Sequence, residues 1–82
     1  MKNIDDITTN FSGLYNANIG DNRLSISFDY TKQEFHVLFE NKDNENLCEF
    51  TTYDKKTLKE LTYFVLSTRF EFDPDEVVFE QK

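Results

Sequence analysis

Residues Leu24–Phe39, LSISFDYTKQEFHVLF, decide how the chain is read. Leu24, Ile26, Phe28 and Tyr30 alternate with Ser25, Ser27 and Asp29. After a polar break at Thr31, Lys32 and Gln33, the residues Phe35, Val37 and Phe39 alternate with His36, Leu38 and Glu40. Successive strand side chains point to opposite faces, so a period of two in both runs predicts two half-buried strands. A polar break of about three residues joins them as a hairpin. One face is aromatic and aliphatic. The other carries Ser, Asp, Glu and His, and function is sought there first.

Working outward toward the N-terminus, Gly20-Asp21-Asn22 is a turn, and Tyr15, Ala17 and Ile19 alternate with Asn16 and Asn18, a pattern that allows a weak edge strand. Asn3-Ile4-Asp5-Asp6 reads as a helix start: Asn3 caps, acids fill the first turn, and Ile4, Ile7 and Phe11 recur at helical spacing. Gly13 is a plausible stop. So short a helix is unstable alone in water and must dock on the sheet.

Toward the C-terminus, Asn41–Asn46 is a polar loop, and Leu47–Tyr53 reads as a third strand with Cys48, Phe50 and Thr52 on one face. Leu47 falls on the polar side of that register. Asp54 can cap a second helix, and Thr57-Leu58-Lys59-Glu60 matches a capping box for a later start. Leu58, Leu61 and Val65, joined by Phe64, form its apolar stripe. The β-branched and aromatic Thr62–Val65 favour a strand, but the caps and the Leu spacing decide for helix. Asp73-Pro74-Asp75 is a turn. Glu76–Glu80 is a short final strand or an ordered tail. The reading is a single α+β domain over residues 1–82: a small antiparallel meander of three to four strands, with a short N-terminal helix and one longer helix on one face. Phe28, Phe35, Val37, Phe39 and Phe50 are expected beneath Leu58, Leu61 and Val65.

Eighty-two residues make one domain that buries roughly 60–65% of its unfolded surface. Only 38% of residues are hydrophobic, but nine Phe and four Tyr remove much area from water each, which is enough for a core. One Cys excludes an internal disulfide framework and points to a reducing compartment. No apolar run reaches a membrane span and no signal-peptide pattern opens the chain, so a cytoplasmic location is expected.

The formal net charge is −7. Glu34–Asp54 carries six acids against Lys42, a net −5; residues 55–69 are net +3 and residues 70–82 net −4. Such a field repels nucleic acid and anionic lipid and attracts basic surfaces. Direct nucleic-acid binding needs a basic patch, and only the second helix, with Lys55, Lys56, Lys59 and Arg69, offers one; it reads as a solvated face.

Catalytic and metal chemistry find little to build on. His36, the sole His, lacks the partners that zinc or base catalysis needs and reads as a surface residue. Cys48 reads as a small buried hydrophobe on the face opposite His36, so the two form no dyad. Asn41–Asn46 resembles a calcium loop only briefly, because Asn46 stands where its Gly belongs. Two glycines make no phosphate-cradling loop. No enzyme activity and no cofactor are expected.

The acidic face remains. Strand residues i and i+2 lie about 6.6 Å apart, close to two steps of about 3.4 Å along a DNA strand. Asp29, Glu34, Glu40, Asp43, Glu45 and Glu49 are therefore the candidate partner-binding residues, imitating phosphates toward a basic groove whose Arg side chains pair with carboxylates. Small size, acidity, the opening Asn3-Ile4-Asp5-Asp6 and the order of short helix, polar meander and helix resemble the small phage-encoded anti-CRISPR proteins. The plan is also similar to viral DNA mimics such as uracil-DNA glycosylase inhibitors. That resemblance implies an inhibitor of a Cas nuclease or another nucleic-acid enzyme, acting in the host cytoplasm, whose partner is a basic nucleic-acid-binding protein. The other reading is a non-catalytic interaction module, such as an immunity protein or regulatory adaptor, that binds through apolar and aromatic contacts.

Overall fold

The computed structural model describes residues 2–9, 11 and 13–81. Helix α1 (Ile4–Thr9) is followed by strands β1 (Leu14–Ile19), β2 (Asn22–Asp29), β3 (Glu34–Glu40) and β4 (Asn46–Thr52). Helix α2 (Lys55–Arg69), a 3-10 turn (Pro74–Glu76) and the short strand β5 (Glu80–Gln81) complete the chain. The sheet is antiparallel and five-stranded, in the order β4-β3-β2-β1-β5. It has one strand more than expected. The extra strand is β5, whose two residues pair with Tyr15 and Asn16, so β1 is not a free edge over its first half.

Local chemistry explains the junctions. The Asn3 side chain accepts from the Asp6 N–H (2.9 Å) and the Asp6 carboxylate accepts from the Asn3 N–H (3.0 Å), a reciprocal cap at the start of α1. Gly20, at φ 62°, takes the first central position of the two-residue β1–β2 turn, where a positive φ is needed. The β2–β3 ladder closes at Asp29 opposite Glu34, so Tyr30 lies in the loop, 66% exposed, and not on the apolar strand face. The Asp29 carboxylate holds that loop by accepting from the N–H groups of Thr31 (2.9 Å) and Lys32 (3.2 Å).

Strand β4 carries a bulge. Phe39 faces Cys48, yet Glu40 faces Asn46, which leaves Leu47 with no partner across the ladder. One extra residue flips the alternation, and this is why Leu47 reads on the polar side.

Residues 62–69 are helical. Asp54 caps α2, its carboxylate accepting from the Thr57 N–H at 2.9 Å, so the alternative start at Thr57 is not used. The buried positions of α2 are Leu58, Thr62, Val65 and Leu66. Leu61 (39% exposed) and Phe64 (63%) are outside, contrary to the expected stripe. At about 100° per residue, Leu58, Thr62, Val65 and Leu66 fall within one arc of the helix, whereas Phe64 lies nearly opposite it and Leu61 beside it. Leu24, Ile26, Phe35, Val37 and Phe39 share one buried cluster with Leu58, Val65 and Leu66 of α2; Phe28 and Phe50, expected inside, are only half-buried, being near the sheet margins. The tail contributes Val77 and Phe79 to the core. Past α2, Phe70 stacks on Phe39 at 4.9 Å.

Candidate functional site

Both helices belong to one layer, whose core is made by the even-side residues of β2 and the odd-side residues of β1 and β3. The other sheet face is open. Alternation places Ser25, Ser27 and Asp29 of β2 there, with Glu34, His36, Leu38 and Glu40 of β3 and Glu49 and Thr51 of β4. Ser25 faces Leu38 and Ser27 faces His36 across the ladder, so small side chains form a low centre. A shallow concavity of about 580 Å³ lies toward the β2–β3 turn, lined by Ser27, Asp29, Lys32, Glu34, His36, Glu49 and Thr51.

Of the six candidate acids, Asp29, Glu34, Glu40 and Glu49 are on this face, and Asp43 and Glu45 are in the β3–β4 loop beside it. Their surroundings differ. The Arg23 guanidinium donates to Glu40 (2.9 Å) and to the Asn44 side-chain oxygen (2.9 Å), and the Glu40 side chain is only 16% exposed. Glu49 pairs with His36 and accepts from the Asn46 amide at 3.2 Å. Asp29 is engaged in its own turn. Glu45 accepts a long bond from Asn41 (3.4 Å), while Glu34 and Asp43 make no side-chain bond or ion pair among the described residues. Glu34 and Glu40 are six strand residues apart, about 20 Å, with His36 and Leu38 between them. The carboxylates therefore stand at two ends of the face, joined across strands by Glu49, and not along one strand.

No protein-family model, curated protein or solved structure matches the chain.

The periodicity placed His36 on the polar face, but its pairing with Glu49 depended on a β3–β4 register that the bulge conceals. Cys48 lies on the opposite face, as expected, yet is half-buried: the edge strand leaves its outer flank uncovered. Among the described residues no group of three His, Cys, Asp or Glu side chains is placed to hold a metal, and no helix is long and apolar enough to cross a membrane.

A second concavity, of about 290 Å³, sits at the same end of the sheet on the helix side. Phe11, Phe28 and Phe35 floor it, with ring centroids 4.9–5.1 Å apart in edge-to-face pairs, and Tyr30 and the 76%-exposed Tyr53 wall it. Asp54 and Lys55 close it; bonding to Thr57 holds the Asp54 carboxyl below its ordinary range, so it is ionised at neutral pH. Sequence reading missed this groove, because periodicity put Tyr30 on the apolar face of the hairpin and Tyr53 at the end of the third strand, whereas β2 ends at Asp29 and β4 at Thr52.

Proposed function

We propose that this chain is a small non-catalytic inhibitor that acts in the cytoplasm of a cell, phage-encoded in the manner of the anti-CRISPR proteins it resembles. It presents carboxylates to the nucleic-acid-binding surface of a partner. The observation that carries the reading is the uncovered sheet face: four of the six acids surround its low centre and two more extend it through the β3–β4 loop. A helix-free sheet face is broad and stiff, and it can meet a groove without rearranging. Opposite charge then steers the encounter and fixes orientation.

The decisive measurement is affinity for a basic nucleic-acid-binding partner as salt is raised, with duplex DNA as competitor. Binding should weaken steeply with ionic strength, and DNA should displace the protein. Glu40→Gln with Glu49→Gln should weaken binding by at least about thirtyfold, since truncating a buried paired charge costs about 2–5 kcal/mol. Glu60→Gln with Glu71→Gln, two exposed acids away from that face, should change it little. Simultaneous binding of DNA and protein, or equal behaviour of the two double variants, refutes mimicry.

One observation favours the alternative, an interaction module working through apolar contacts. Tyr30 and Tyr53 are among the most exposed large side chains and flank one aromatic groove, and Tyr is a frequent anchor of interfaces. Salt-insensitive binding abolished by Tyr53→Ala would select it.

A further inference from the structure

Strand β4 ends the sheet. It pairs with β3 on one side, and its outward backbone N–H and C=O groups bond to no described residue. Unpaired edges invite another strand, and proteins block them with Pro, Lys, covering loops or bulges. The bulge at Leu47 disrupts only the start of β4; Cys48–Thr52 keeps regular register with β3 and contains neither Pro nor Lys. Cys48 and Phe50, on the core face, are half-buried, so α2 does not cover this margin. Leu47 and Tyr53, one at each end of the regular run, are 37% and 76% exposed.

This edge is complementary to itself. In an antiparallel pair directly opposite residues share a face, so the core-face residues of one copy must meet core-face residues of the other. The regular run is centred on Phe50. Laid antiparallel on its own copy, it sets Phe50 against Phe50, Cys48 against Thr52 and Glu49 against Thr51, so no carboxylate of the run meets another. Centring the pair one residue earlier would oppose Glu49 to Glu49. The Phe50-centred register also brings the exposed Leu47 toward the exposed Tyr53 of the copy.

The charges at the two ends match in the same register. The loop end carries Lys42, Asp43 and Glu45, a net −1; the helix end carries Asp54, Lys55 and Lys56, a net +1. A two-fold axis at Phe50 sets each end against the opposite end, twice, with Glu45 toward Lys55. Among the described residues these two side chains hold only long bonds, 3.4 Å from the Asn41 amide to Glu45 and 3.4 Å from Lys55 to the Thr9 carbonyl. Both can turn to a new partner. A foreign strand of uniform charge would be repelled at one end. The net −7 of each copy opposes association, but repulsion beyond about 8 Å is screened at physiological salt, whereas the end contacts adjoin.

We infer that the free edge of β4 pairs with β4 of a second copy, joining the five strands of each chain into one two-fold symmetric sheet. The inference stands independently of the basic-partner reading. So short a seam buries less than a standard interface, and the dimer it forms is weak.

The test is sedimentation equilibrium of the full chain at about 0.15 M salt and up to roughly 1 mM protein, with Cys48 modification by a thiol reagent reporting cover at the edge. The chain should pass from monomer to dimer, and modification should slow as the dimer fills. Glu45→Lys and Lys55→Glu, both at exposed positions, should leave the melting temperature of the dilute protein unchanged. Each should weaken the dimer roughly tenfold, since attraction becomes repulsion at two symmetric sites. Mixed in equal amounts, the two variants should associate as tightly as the parent, because their heterodimer restores opposite charges at both ends. A chain that stays monomeric throughout overturns the inference. So does a dimer that leaves Cys48 modification unchanged or that neither variant weakens, and so does a mixture no tighter than either variant alone.

Discussion

Asp54, between β4 and α2, caps the long helix with its carboxylate, and its protonation is coupled to folding. The bond from Thr57 lowers its pKa in the folded chain, so the unfolded chain takes up the proton first as pH falls. The stabilisation is complete above the ordinary carboxylate pKa and is lost as pH drops through the folded value. Asp54→Ala should therefore lower the Tm most at neutral pH, with the gap to the parent closing on acidification; a gap independent of pH would show that the cap acts without its charge. Glu71 offers a change of opposite sign. It holds a φ of 51° just past α2, where the Phe72 N–H reaches the Leu66 carbonyl at 3.0 Å. A left-handed backbone costs a side-chain-bearing residue about 1–2 kcal/mol, part of which Gly gives back as unfolded-state entropy. Glu71→Gly should thus raise stability by up to about 1 kcal/mol in urea titration.

Among the elements, α2 shows where sequence reading held and where it slipped. Its N-cap and its helical character were legible, because Asp54 and the Leu spacing stand out against any neighbour. Its buried arc was not. Thr62 reads as polar, yet it is fully buried between Leu58 and Leu66, and its hydroxyl has no partner among the described residues. Leu61 reads as core and faces water. Leu66→Ala should cost about 2–5 kcal/mol and Leu61→Ala well under half as much, measured by chemical denaturation. The second strand of the hairpin was legible, since Phe35, Val37 and Phe39 alternate without interruption and all three are buried; in the first, Leu24 and Ile26 are buried, but Phe28 is half-buried and Tyr30 lies in the loop. Phe39→Ala, which also removes the stack on Phe70, should cost about 3–5 kcal/mol. Two features were not fixed by local pattern: the bulge had no signature, and the final strand, read as Glu76–Glu80 or an ordered tail, is Glu80–Gln81. Leu47 is a bulge only relative to β3, and Glu80–Gln81 is a strand only because β1 lies beside it.

For the whole molecule, the open face was legible as a polar periodicity, but its internal pairing was not. Arg23 lies outside the acidic segment in sequence and is brought to Glu40 by the β2–β3 ladder, and the β3–β4 ladder brings His36 to Glu49. Charge counted along a sequence thus overstates the charge free to meet a partner. Arg23→Ala should strengthen binding to a basic partner at low salt, because it frees Glu40, while unchanged affinity would place Glu40 outside the interface. The last feature concerns the two ends of the described chain. Lys2 and Phe79 form an isolated bridge in which the Phe79 N–H donates to the Lys2 carbonyl at 2.6 Å, beside the pairing of β5 with β1. Where the chain starts matters little to a fold in which Lys2 and Phe79 lie side by side. A short linker between them, with new ends opened in the exposed loop at residues 42–44, should give a circular permutant that keeps the same sheet order. In that permutant β4 and α2 would be synthesised first and β3 last.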